Sequence, residues 1–562
     1  MCKFISTTKP TTMRLLALFL LFTTAVFAKP NDTAKYKTFG LVWGFLKYHH
    51  PEISKGKQNW DAEFIKQFNT LETLGTTDEI NSFYKTWINS YGPVADVAPK
   101  TYGNEYFTQN EDYRWFEASG FDDGLKSLLL KIKNGKHTAA NYYVKIPKLT
   151  DLQDFSNEKG FEGFDVKLKS HRLLNLFSFW NVTQYWNLNK YLFDEDWLTV
   201  LDKSLPDFIA ADTQAKMDLA KARLYHHIQD SHCWFMTDEI QKTILPTLYP
   251  PFWGQDINDS IVITGTPSKP LLDKTGIALG DVITAVNGKP VKQALFERVG
   301  QYLSYGNEYR LRERGVWLLR SASEYDTYTV VGKDATPRDV RVQQLSSFEG
   351  QLQREDLPAP KTAFPDDVAY LWMGTATKAD LKKFFKDNAN KKGVILDMRN
   401  YPDKFTVEDL SGYLYPEKRT FAVFMAPTKT PGIAEKNNQA ALGFIDDPLA
   451  AGSSSKNYYK GKVILLVDNH TISQSEFMGM CVQAAPNCTT VGTPTAGVVA
   501  NVVQYTLPDK STVDYTGYQA FYPDGTVVFK KGLKIDIPVG QTALHFNPGL
   551  IYEKAIEVIN AQ

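Results

Sequence analysis

The chain has 562 residues, long for one domain; at roughly 150 residues per domain the length points to three or four. Lys plus Arg and Asp plus Glu are equal at 63 each, so the formal charge is zero, which argues against a polyanion such as nucleic acid as the main partner. Apolar residues at 43% and aromatics at 13% support a large core and exclude disordered, collagen-like and disulfide-scaffold classes.

The first 28 residues carry Lys3, Lys9 and Arg14 and no acid. Leu15 to Phe27 then runs without charge, and Val26-Phe27-Ala28 has the small-x-small form of a cleavage site. The run is too short for the ~20 residues of a membrane span but fits the apolar region of a secretory signal. Residues 1–28 are therefore expected to be a signal peptide, and Met13 is a plausible start. Removing them leaves a mature chain of about −3, exported to a periplasm or to the exterior. No later stretch has eighteen uncharged apolar residues, so no integral membrane segment is expected after signal removal.

The N-terminal half contains an internal repeat. Trp43, Tyr48 and Trp60 recur as Trp180, Tyr185 and Trp197, with spacings of five and then, from Trp to Trp, seventeen. Each block reads as a helix, a polar loop and a helix opening on an acidic Trp element, Trp60-Asp61 or Asp196-Trp197. Two helical modules are expected, at 29–135 and 136–254, with these aromatics in their cores.

Between 255 and 347 the texture changes to short β-like runs. DSIVITG, GDVITAV and TYTVVG are strand candidates, and Asn287-Gly288 suits a type I′ hairpin turn. The order Gly-Asp-Val-Ile-x-x-Val-Asn-Gly resembles a PDZ domain, a fold that binds extended peptides along a sheet edge. From 348 to 562 strands alternate with helices: VAYLWMG, GVILDMR and KVILLVD are apolar runs, with helical stretches at about 377–387 and 473–485. This predicts an α/β domain with its chemistry at strand C-terminal ends.

Two of those ends stand out, Asp397–Asp403 and Val467–Glu476. A Ser at a strand-to-helix turn exposes its hydroxyl beside helix N-terminal amides that can hold an oxyanion. Ser473 also reads as a plain N-cap, with Glu476 completing a capping box. Cys481 and Cys488 are spaced for either a disulfide or two buried thiols. No cysteine pair has metal-ligand spacing and the nine histidines form no HExxH, so neither a metal nor another cofactor is expected.

Thr471-Ile472-Ser473-Gln474-Ser475-Glu476 is similar to the nucleophile motif of the tail-specific, or C-terminal processing, serine peptidases. Gly492-Thr493-Pro494-Thr495-Ala496-Gly497 matches their G-x-P-T-x-G stretch, and Asp397–Asp403 resembles their D-L-R-G-N-P-G motif. The resemblance spans about 220–545. It implies an α+β multidomain fold: a helical N-terminal region, a small PDZ-like β domain and a crotonase-like α/β catalytic core. It implies Ser473 as nucleophile, with the Gln474 N–H and a donor from the loop after Arg399 in the oxyanion hole. Pro402 has no N–H, so Asp403 is the candidate there. Where one branch has a catalytic Lys this chain has Val498. The tricorn-like branch uses a His preceded by Ser, which Ser231-His232 fits.

That branch also has an orienting Glu where this chain has Phe529; Asp524 and Asp514 are the possible substitutes, and Asp230 alone does not suffice. The resemblance thus implies an exported serine endopeptidase acting on peptides or unfolded proteins. The alternative is a weak or inactive homologue that binds peptides. Ser473 with Ser231-His232 favours the first, and the lost Glu with the divergent Asn400-Tyr401 the second.

Overall fold

The structure is a computed structural model that describes residues 32–135, 141–346, 363–437, 449–452 and 457–561. The signal expected at 1–28 lies outside the described residues. No helix among the described residues is long and apolar enough to cross a membrane.

The first module is built from α1 (Asp32–His49), α2 (Trp60–Glu72), α3 (Thr77–Asn89) and α4 (Asp123–Asn134). The second has α5 (Lys169–Trp186), α6 (Trp197–Ala210) and α7 (Gln214–His226). Its first helix begins well inside the expected 136–254: residues 141–168 hold no helix, because Pro147 and four glycines and asparagines between 141 and 163 interrupt any apolar period. α1 and α5 pack at close range. Asn181 Nδ2 donates to Gly40 O at 3.1 Å, and a Cβ on Gly40 or Gly44 would run into Phe177 or Asn181.

The Trp spacing of the repeat has a direct structural cause. Trp43 Nε1 donates to Trp60 O at 3.0 Å, and Trp60 Nε1 donates to Trp43 O at 3.1 Å. Trp180 and Trp197 exchange the same two bonds at 2.9 and 3.0 Å. Each fully or nearly fully buried indole thus finds a partner for its one polar group in the backbone of the other. The clasp ties the middle of one helix to the first residue of the next, where Asn59 and Asp196 act as N-caps. Tyr48 and Tyr185, the third members of each repeat, meet edge to face with ring centroids 6.0 Å apart.

A six-stranded antiparallel sheet follows. β1 (Trp253–Asp256), β2 (Ile261–Gly265), β3 (Val282–Val286), β5 (Tyr325–Val331) and β6 (Pro337–Gln343) lie in that order, and β4 (Lys289–Pro290) pairs with β3. The β3–β4 connection is Asn287-Gly288, with φ of +50° and +75°, the positive pair that a type I′ turn requires. The short helix α8 (Glu308–Arg312) lies between β4 and β5 in sequence.

The last third is an α/β layer. β7 (Val368–Trp372), α9 (Lys378–Asp387), β8 (Gly393–Asp397), β9 (Lys462–Val467), α10 (Gln474–Gln483) and β10 (Cys488–Gly492) lead to a hairpin of β11 (Val502–Thr506) and β12 (Thr512–Thr516). β13 (Ile537–Pro538) and α11 (Leu550–Asn560) close the chain. The five strands β7, β8, β9, β10 and β13 are parallel and adjacent in sequence order. Their faces alternate strictly: Val463, Leu465 and Val467 pack with α9 and α10, whereas Ile464 and Leu466 pack with α11. A sheet covered on both faces explains why these strands read as continuous apolar runs. Cys481 and Cys488 are free thiols.

Replacing Trp197 by Phe removes one clasp bond and leaves a buried carbonyl short of a donor. The expected cost is about 2 kcal/mol, read from urea unfolding followed by helical circular dichroism. Trp60→Phe should give a similar loss, and a large inequality between them would mean the two clasps are not equivalent.

Candidate active site

Ser473 sits six residues past the end of β9, directly before α10, and is half-buried. Its φ of +56° with ψ of −111° is rare for a residue with a side chain and far from the extended geometry of an ordinary N-cap. Such backbone persists only where surrounding contacts determine it. They do so here. Ser473 N–H donates to Glu476 Oε2 at 3.2 Å, the return half of a capping box.

Glu476 does more than cap. Its carboxylate is fully buried and also accepts from Thr495 Oγ1, from Gly497 N at 2.8 Å and from Val498 N at 2.9 Å. Burial raises its pKa from the ordinary carboxylate value, and the bonds from Thr495, Val498, Gly497 and Ser473 oppose that rise. Gly497 is glycine for cause: its φ is +75°, and a Cβ would sit 2.7 Å from the Lys530 backbone. The end of the Gly492–Gly497 motif is therefore the loop segment that this one carboxylate pins to the Ser473 turn.

The loop after β8 is held from the same turn and helix. Ser475 Oγ donates to Asn400 O at 2.9 Å, and Thr471 Oγ1 donates to Met398 O at 3.1 Å. Arg399 is fastened by Asp397, with Nε–Oδ1 at 2.9 Å and Nη2–Oδ2 at 2.7 Å, and by the Tyr552 hydroxyl at 2.5 Å. Asp403 lies exposed farther along this loop. Gln474 is the first residue of α10, so its N–H has no acceptor one turn back within the helix.

Ser231 and His232 lie in the turn after α7, and the structure ties that turn to the pinned segment. Ser231 Oγ donates to Ala496 O at 3.2 Å, and Ala496 N donates to Thr471 O at 3.0 Å. Asn307 Nδ2 adds a bond to Thr495 O at 2.8 Å. His232 Nδ1 is 2.8 Å from Thr516 Oγ1, while its buried Nε2 makes no hydrogen bond. Burial pushes the imidazole below its ordinary pKa; Asp230 and Asp514 pull it back up and Arg310 pushes it further down.

The two proposed substitutes for the orienting Glu part company. Asp514, on β12, acts on His232 electrostatically and accepts from Gln504 Nε2 at 3.0 Å. Asp524 occupies an exposed turn, where it pairs with Lys534 at 2.6 Å. The group missed in the sequence is Asp230. Adjacent side chains seldom orient one another, but Asp230 reaches the ring through Thr516, whose Oγ1 is 3.0 Å from Asp230 Oδ1. The local sign was Asp230 two residues before His232, an Asx turn closed by His232 N to Oδ1 at 2.9 Å. Thr516, 284 residues away from His232, carried none. Phe529 is buried against Ala496 and Val498 in an apolar cluster, so nothing ionic stands at the position of the family's Glu or of its Lys.

Residues 367–539 match Peptidase family S41. Among curated proteins, a "Probable CtpA-like serine protease" of Staphylococcus aureus (strain bovine RF122 / ET3-1) is 24% identical over 372 residues, 64% of this chain and 66% of that protein. The protein of the same name from strain COL is 24% identical over 324 residues, 56% and 58% of the two chains. The chain thus spans less than two thirds of these relatives' length. Among solved structures, mature CPAF superposes with a TM-score of 0.51 at 14% identity, covering 69% of this chain and 95% of that one. Mature CPAF complexed with lactacystin gives 0.50 at 13%, covering 70% and 97%. At such identities the likeness is one of fold. Residues 367–539 thus carry a Peptidase family S41 match, and together with the CtpA-like relatives they support a place among the tail-specific proteases.

Proposed function

We propose that the protein is an exported serine endopeptidase in which Ser473 is the nucleophile and His232 the general base. The observation that supports this most is the Thr495–Val498 segment, held from one side by the Ser473 helix and from the other by the Ser231-His232 turn. Ser473 Oγ attacks a peptide carbonyl as its proton passes to His232 Nε2. The same proton then goes to the leaving amine, giving an acyl-enzyme that water hydrolyses by the same route. The Gln474 N–H, at a helix N-terminus, and the loop carrying Asp403 are the candidate oxyanion donors. The antiparallel sheet at 253–343 is assigned as PDZ-like, with an edge for an extended peptide. Export rests on the signal-like composition of residues 1–28.

Phe529 in place of an acid favours a second reading, a peptide-binding homologue with little turnover. A serine-directed fluorophosphonate separates the two. Labelling of the wild type that is lost in Ser473→Ala is expected; no labelling, or equal labelling of the variant, favours the binder. His232→Ala should lower peptide cleavage at least ~10²-fold, and turnover like the wild type would remove His232 from the mechanism.

The pH profile gives an independent check. A base must be neutral to act, and His232 has its pKa lowered by burial. It stays neutral as pH falls through the ordinary histidine value of 6.5, so the acid limb of kcat/KM should have its midpoint below 6.5. A limb centred at or above 6.5 would contradict the assignment.

A further inference from the structure

Two side chains from distant stretches of sequence, Asp230 and Thr516, converge on the His232 imidazole. Asp230 is fully buried, and its carboxylate receives three hydrogen bonds. His232 N and Thr516 Oγ1 reach Oδ1 at 2.9 and 3.0 Å, and Thr516 N reaches Oδ2 at 2.6 Å. Thr516 Oγ1 in turn lies 2.8 Å from His232 Nδ1. Asp230 Oδ1 itself is 3.9 Å from Nδ1, too far for a hydrogen bond.

The directions of these bonds follow from the chemistry of the groups. A carboxylate only accepts, so the single hydroxyl proton of Thr516 points to Asp230. The hydroxyl lone pair then accepts a proton from Nδ1. The reverse arrangement would set a hydroxyl lone pair against a carboxylate oxygen 3.0 Å away. With its proton on Nδ1, the ring carries a bare lone pair on Nε2, the buried atom that makes no hydrogen bond.

We propose that Thr516 and Asp230 are the positioning residues of His232: the hydroxyl fixes the Nδ1–H tautomer and the ring plane, and Asp230 fixes the hydroxyl. The relay rests on the reading of His232 as the base. No proton moves along it. When Nε2 takes the Ser473 proton, Nδ1–H stays on Thr516, and the imidazolium charge faces a buried carboxylate across one hydroxyl. The other charged groups acting on the ring are Asp514 from β12 and Arg310 from α8. Asp514 is engaged by Gln504 instead of by the ring, which leaves orientation to Thr516. The acid that this chain lacks at Phe529 is thereby supplied from the helical half of the molecule.

The test is nitrogen NMR of the full chain labelled with ¹⁵N-histidine, the His232 signals being those lost in His232→Ala. At neutral pH the wild type should show Nδ1 protonated and Nε2 bare. Thr516→Val should abolish that tautomer preference and lower kcat for peptide cleavage ~10–10²-fold, with KM within about twofold. Thr516→Ser should restore both. A protonated Nε2 in the wild type, or an unchanged tautomer in Thr516→Val, overturns the relay whatever the turnover. Full cleavage by His232→Ala would instead sink the base assignment while leaving the tautomer result standing. Should Thr516→Val not fold, the wild-type tautomer and the Thr516→Ser variant still decide.

Discussion

The buried carboxylate of Glu476 is the constraint on which the rest of the site depends. A charge removed from water is costly unless donors replace its hydration, and here four do. Each donor belongs to a segment that must be placed: Ser473 at the turn, Thr495 and Gly497 within the Gly492–Gly497 stretch, and Val498 directly after it. Satisfying the charge and assembling the site are the same event. The strained backbone at Ser473 follows, because its N–H is held to a carboxylate whose own position is fixed by three other bonds.

From that segment the structure extends outward in both directions. Ala496 and Thr495 receive Ser231 and Asn307, which bring in the turn after α7 and the start of α8. The helical half is in turn fused to the β11–β12 hairpin. Val503, Tyr505, Leu507, Val513 and Tyr515 belong to the same hydrophobic cluster as α1, α5 and α7. A buried ion pair joins Lys221 to Asp509 at 2.5 Å, and Asn189 Nδ2 donates to Tyr518 O at 3.1 Å. The helices are thus part of the wall against which the imidazole is set, and not an appended module.

The sequence made some of this legible and hid the rest for physical reasons. The Trp repeat could be read because two identical clasps impose an identical spacing of seventeen. The parallel strands could be read because burial on both faces leaves only apolar residues at 394–396 and 463–467. Asn287-Gly288 could be read because few residues tolerate that turn. Ser473 and His232 were legible as candidates through short motifs whose residue types are dictated by chemistry. Thr516 was not, since a hydroxyl on a β-strand looks like any other strand residue until its partner is known. Asp230 is adjacent to Ser231-His232, where the local rule about neighbouring side chains gives it no role; a route through Thr516, 286 residues away, lies beyond any local rule. The long non-helical connection before α5 was not legible, because residues 141–168 show no distinct apolar period.

The bond between Asp230 and Thr516 closes a loop of 286 residues. Contacts this far apart in sequence come late, since the entropy of closing the loop is spent before the contact returns anything. On a chain growing from its N-terminus the imidazole has no Thr516 to lean on until nearly the whole polypeptide exists. The two indole clasps, each spanning seventeen residues, have both partners long before. Assembly is therefore ordered by topology: the clasps can be closed while the residue that would draw a proton from Ser473 is still unoriented.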